Sequence, residues 1–307
     1  MKLTRIISAF SVTLVCVVLA QAQTDRTFVS THGSDNTDCG SSNLPCRNFS
    51  YALTKTNAGG EVIALDSGIY DPSDIIISQS VTLAAAPGAH VEIDRASSVG
   101  IQVTASTSDT VVLRNLYLSG KFGGGAITSG IQVSKVGTVH IENCVVSGFD
   151  RGISFLLNNA AQATIQDTIV RDCGTGMLVA SAAGTVKVSI DHCRLQSSTV
   201  FGLEVGSHSR VTVSDSVAFG NSAAGFRVES GDLNLDRCEA SNNDIGVEVF
   251  MSGSESSTAT VSNSIVTNNK SIGLSQAVGG VLQSLGNNVV RHNGTNIVGT
   301  ISVVSGN

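Results

Sequence analysis

Glu204, Arg227 and Glu248 follow one another at steps of 23 and 21 residues, an acid, a base and an acid in one register. A carboxylate beside a guanidinium can move a proton or neutralise a developing charge. On adjacent strands the same alternation is an ordinary ion-pair ladder, worth about 0.2–1 kcal/mol per pair. Asp191 and Asp236 share a second register, with Ser214 between them. Paired carboxylates hydrolyse glycosides with inversion when they stand about 6.5–9.5 Å apart. Two strand spacings place this pair roughly 10 Å apart, at or beyond that limit, and a strict repeat creates such pairs by chance. His192 falls in a polar column and reads as a structural residue, and His208 reads as a solvated loop residue. Asn48-Phe49-Ser50, Asn269-Lys270-Ser271 and Asn293-Gly294-Thr295 are glycosylation sequons, with meaning only in a eukaryotic secretory pathway.

The element that lines these residues up is a repeat of about two dozen residues. Glycine followed by an apolar residue recurs at Gly130, Gly152, Gly176, Gly202, Gly225, Gly246 and Gly273, in steps of 22, 24, 26, 23, 21 and 27. Asn296 follows 23 residues on, and Asn shares with Gly a tolerance of positive φ, so this corner is expected to demand it. Between the glycines runs a second motif: apolar, exposed, polar, small, exposed, apolar. Ile141-Glu142-Asn143-Cys144-Val145-Val146 is one copy and Ile190-Asp191-His192-Cys193-Arg194-Leu195 another. From its third residue to the next glycine is 9 or 10 residues, whereas the return varies from 12 to 17, so insertions gather at one corner.

A coil of this kind cannot bury its apolar residues alone. Stacked at the strand spacing of about 4.8 Å, the coils bury one another and satisfy their backbones. The expected architecture is all-β, a parallel β-helix of about ten coils spanning residues 61–307. Asn115, Asn143, Asp167, His192, Asp215, Arg237, Asn263 and Asn287 form a polar turn column in which asparagines can bond along the axis. Cys144, Thr168, Cys193, Ser216, Cys238 and Ser264 form a small column that should point inward. Its cysteines lie two coils apart, roughly 10 Å and too far to bond.

Residues 1–22 read as a leader peptide. Lys2 and Arg5 precede an apolar run from Ile6 to Ala20, and Ala20-Gln21-Ala22 is a cleavage signal. The run is short for a membrane span, so the mature chain is expected to be secreted or periplasmic after cleavage near Ala22. Residues 23–60 read as an N-terminal loop with a short capping helix over Pro45–Thr56, ended by Gly59-Gly60. An oxidising compartment favours a disulfide between Cys39 and Cys46. Removing Lys2 and Arg5 takes the net charge from −6 to −8, and no basic run exists, so nucleic acid is an unsuitable partner. Aromatic residues are only 4%, with no Trp, which suits thin Val, Ile and Leu layers better than a sugar-stacking platform.

Phe28-Val29-Ser30, Gly33-Ser34-Asp35, Pro45-Cys46, Gly68-Ile69-Tyr70 and Ser80-Val81-Thr82-Leu83 resemble the entry segment of secreted right-handed β-helix proteins of the pectate-lyase-like superfamily. The Asn-Cys and Gly-Ile coils are similar to its generic repeat. The resemblance implies right-handed coiling and says little about activity, because the fold hosts many chemistries. Lyases of this superfamily combine acidic Ca²⁺ ligands with an Arg or Lys base, and Glu204, Arg227 and Glu248 are the nearest match. Gln166-Asp167-Thr168 matches a short pectin-esterase motif, and Asn36-Thr37-Asp38 spells a polygalacturonase one, but neither has its companions. The expected function is a secreted, non-catalytic, monomeric β-helix for surface interaction or structure, with extracellular polysaccharide or a cell-surface component as partner and no cofactor or metal. The alternative is a uronate polysaccharide lyase, and Ca²⁺ belongs to that alternative alone. Binding is expected beside the variable corner, near Lys121–Ala126, Phe155–Ala163 and Met251–Ser257.

Overall fold

The computed structural model describes residues 23–70, 74–95, 99–121, 128–252 and 255–304; the leader read at 1–22 lies outside them. Among the described residues the chain winds through three parallel sheets of twelve, ten and ten strands. One coil runs Thr138–Glu142 in the first sheet, Val145–Ser147 in the second and Arg151–Leu157 in the third, then returns to the first at Ala161–Gln166. The fold is the expected right-handed parallel β-helix. Its register stacks Ile141, Ile165, Ile190, Val213, Leu235 and Val261 as one interior column, all buried. Each such residue covers its neighbours in the coils above and below, so the core is continuous along the axis.

The first corner is the polar turn column. Asn115, Asn143, Asp167, His192, Asp215, Arg237 and Asn263 have φ between 47° and 59°. Asn143 Nδ2 donates to Asn115 Oδ1 at 2.8 Å, and Asn287 Nδ2 to Asn263 Oδ1 at 2.8 Å. The left-handed turn throws the next residue inward, which is why Cys144, Thr168, Cys193, Ser216, Cys238 and Ser264 are buried. Thiols alternate with hydroxyls there, and Ser216 Oγ accepts the Cys193 N–H at 2.9 Å.

A second left-handed corner, which the sequence pattern does not announce, joins the second sheet to the third. Gly148, Asp172, Ser197, Gly220, Asn242, Asn268 and His292 hold positive φ there. The next residues along the chain include Asn221, Asn243 and Asn269, all buried. Asn221 Nδ2 donates to Asn243 Oδ1 at 2.9 Å, Asn243 Nδ2 to Asn269 Oδ1 at 3.1 Å and Asn269 Nδ2 to Asn293 Oδ1 at 2.9 Å. Asn269, read as part of a sequon, is therefore a ladder residue in the interior.

The recurring glycines are needed for a different reason from the one expected. Gly130, Gly152, Gly176, Gly202, Gly225, Gly246 and Gly273 are not among the positive-φ residues. A Cβ on Gly176 would sit 2.5 Å from the carbonyl oxygen of Gly202, one coil on. Close stacking, rather than turn conformation, excludes side chains at this column.

The segment before the repeats is also more ordered than a loop. Thr24–Val29 pairs with Thr56–Ala64 and starts the first sheet. The helix is shorter than the expected Pro45–Thr56, covering Phe49–Leu53. Strand pairing claims its far end: the Thr56 hydroxyl donates to Ala52 O at 2.8 Å and lies 2.9 Å from the Thr27 hydroxyl, from which it can accept. Gly59 and Gly60 lie within that strand. The helix buries Phe49 and Ala52, with Phe49 against the Tyr70 ring at 5.5 Å. Cys39 and Cys46 are bonded, and their loop covers the edge of the first strand, where Cys46 N–H donates to Phe28 O at 2.9 Å. No helix among the described residues is long and apolar enough to cross a membrane.

Candidate functional site

Strand alternation puts Glu204, Arg227 and Glu248 on the outer face of the third sheet, and parallel pairing makes them direct neighbours. The guanidinium of Arg227 lies over the Phe201 ring at 4.3 Å and over the Phe250 ring at 4.4 Å. It is thus held by two cation–π contacts. Its ion pair with Glu248 is 3.8 Å long, and its Nε is buried without a hydrogen-bond partner. Burial raises the Glu204 carboxyl above the usual glutamate range; the Arg227 charge opposes this, and the neighbouring Glu229 carboxyl reinforces it. Phe201, Glu229 and Phe250 were not singled out in the sequence. Glu229 and Phe250 sit just past their strands, at the corner where returns vary and the register gives no signal.

This arrangement has little room for chemistry between the acids. A lyase base must be free to reach the substrate proton, whereas Arg227 is packed against two aromatic rings and faces a carboxylate. The residues also do not fit a calcium ion, because the Arg227 cation occupies the interval between Glu204 and Glu248.

Asp191, Ser214 and Asp236 are neighbours on the outer face of the first sheet, as the register implies. Ser214 Oγ donates to Asp191 Oδ1 at 2.6 Å. Asp236 accepts from Asn263 at 2.7 Å, from Ser262 at 2.8 Å and from Arg237. These bonds hold both carboxyls below the ordinary range. Glycoside hydrolysis requires one carboxyl raised enough to donate a proton, and this pair has none. In the adjoining turn column, the Asp191 carboxylate at 2.8 Å raises the His192 imidazole. Arg237 grips Asp215 through two 2.8 Å bonds. Thr168 of the esterase-like triplet is buried, while Asp167 stands in the exposed turn, so the triplet does not converge.

The variable corner brings together residues that sequence does not connect. His208, read as a solvated loop residue, bridges to Glu255: its backbone N–H donates to Oε2 at 3.1 Å and Nδ1 lies 3.1 Å from Oε1. Arg210 pairs with Asp232 at 3.4 Å. These four residues border a hollow of about 330 Å³. A second hollow of about 440 Å³, crossing His140, Thr164, Lys187 and Ser189, shares Arg210 with it. Part of the expected binding region, residues 122–126 and 253–254, lies outside the described residues.

A sequence-family profile described as "Right handed beta helix region" matches residues 129–307. No curated protein sequence matches the chain. Among solved structures it is similar to pectate lyase Pel9A, at 18% identity and a TM-score of 0.52, covering 89% of this chain and 80% of that one. It is similar to XylC in complex with xylose, at 11% identity and a TM-score of 0.58, covering 82% and 70%. The lacto-N-biosidase of Eubacterium ramulus shows 11% identity and a TM-score of 0.58, covering 91% and 68%.

Proposed function

The chain belongs to the right-handed β-helix family, and from that premise we propose that it is an exported, non-catalytic solenoid that binds polysaccharide beside its variable corner. The observation that carries the non-catalytic part is the packing of Arg227 against Phe201 and Phe250. The polar, charge-paired hollows joined at Arg210 support the binding part. Structural neighbours named for pectate, xylose and lacto-N-biose point to carbohydrate as the ligand class. The leader and the Cys39–Cys46 disulfide support export.

A glycan and cell-wall binding screen tests this reading. Retention on at least one polysaccharide is expected, and no retention at high protein concentration removes it. The lyase reading predicts unsaturated, ultraviolet-absorbing products from pectate, alginate or glycosaminoglycan, with or without added Ca²⁺. Formation of such product, lost in Arg227→Ala, overturns the non-catalytic reading.

A further inference from the structure

The hollow at the variable corner has a definite origin. Only residues 229 and 230 make the return from third to first sheet at this coil, while 206–208 return before it and a longer return, ending at Glu255 and Ser256, follows it. The flanking returns meet across the short one through the His208–Glu255 bridge, which joins residues 47 positions apart. Gly231 forms part of the floor, at φ +117°, where a Cβ would meet Ser209 O at 2.6 Å and Gly206 O at 2.8 Å. Glycine is therefore demanded twice, by conformation and by space.

We propose that this hollow is a subsite for one uncharged sugar residue. The inference rests on the carbohydrate reading above and narrows it. At about 330 Å³ the space has room for a single pyranose ring, at the small end of the range for ligand pockets. No Phe, Tyr or aliphatic side chain lines it among the described residues. The lining offers one cation–carboxylate pair, Arg210 with Asp232, a second carboxylate, Glu255, bridged to His208, and the hydroxyls of Thr185 and Ser256. Vicinal sugar hydroxyls match that set, donating to a carboxylate while accepting from a guanidinium. A uronate does not match it. The Arg210 cation already has Asp232 beside it, and Glu255 adds a second negative charge to the lining, so an added carboxylate meets two like charges. The shared Arg210 lets further residues of the same glycan run onto the first-sheet face, over Thr164 and Ser189. Sugar hydroxyls replace water one for one and no aromatic ring adds a stacking surface, so a single sugar binds weakly and an oligomer more tightly.

The test is calorimetric titration of the whole chain with neutral tetrasaccharides of glucose, xylose, mannose and galactose, and with tetragalacturonate. At least one neutral tetramer should bind, and more tightly than the uronate. Asp232→Asn and Glu255→Gln should each weaken that binding about tenfold. Asp94→Asn, an exposed acid near the other end of the solenoid, should leave it unchanged, and melting curves establish that all variants are folded. Preference for the uronate, or unaltered binding in both hollow variants, overturns the subsite while leaving polysaccharide binding standing. No binding by any glycan in the wider screen removes the carbohydrate reading itself.

Discussion

Glu204 is pulled in two directions at once. Burial and Glu229 raise its carboxyl, and Arg227 lowers it, with the rise prevailing. A folded-state pKa above the unfolded one means the native protein binds that proton more tightly. The stabilisation is full below the unfolded pKa and is lost as pH rises through the folded one. Glu204→Gln should therefore raise the melting temperature at about pH 7, with the gain vanishing on acidification through the ordinary glutamate range. Melting curves across that window check this, and a variant less stable than the parent near neutrality contradicts it. The pairing of Glu204, Arg227 and Glu248 was legible from the spacing. The stacking of Phe250 on Arg227 was not, because Phe250 lies in a return of irregular length.

At the scale of the element, the left-handed corners set the coil's cross-section, and the polar side chain thrown inward after each corner must find its partners inside. Asn243 shows the demand. It donates to Ala218 O at 3.1 Å and Asn269 Oδ1 at 3.1 Å, and its Oδ1 accepts from Asn221 N at 3.0 Å and Nδ2 at 2.9 Å. Asn243→Ala leaves those partners buried without replacements and should cost about 2–4 kcal/mol in urea denaturation. A change below about 0.5 kcal/mol would mean that water replaces the amide and the ladder is dispensable. The first corner is legible because its members are polar in each coil from Asn115 to Asn263. The second was missed because Gly, Asp, Ser, Asn and His take turns in it, and no single residue type marks the period. The glycine column is legible in the sequence but its cause is not, since Gly answers both to positive φ and to close backbone approach.

For the whole molecule, a stacked solenoid has one core running its length, so its buried groups share one protection. Cys144, Cys173, Cys193 and Cys238 are free and buried. Burial pushes their thiols up to about 12, 11, 12 and 11 respectively. A thiolate-selective reagent near neutral pH should label none of them in the folded protein. After denaturation without reductant it should label those four, with Cys16 added only in chains that keep the leader and Cys39 and Cys46 only after reduction. Labelling of a core thiol without denaturant would show that the coils open locally.

The sequence by itself determined the coil, its strands and its register. Period-two alternation and a recurring turn are one-dimensional signals, and parallel stacking converts a shared position in the repeat directly into a shared column. Only the tertiary structure decided which column members act on one another. That depends on how far each return path reaches, and the reach is set by loop length and by what lies in the next coil. Hence Glu204, Arg227 and Glu248 could be named as neighbours in advance. The Phe201–Arg227–Phe250 contacts and the His208–Glu255 bridge could not, because each depends on a side chain in an irregular return.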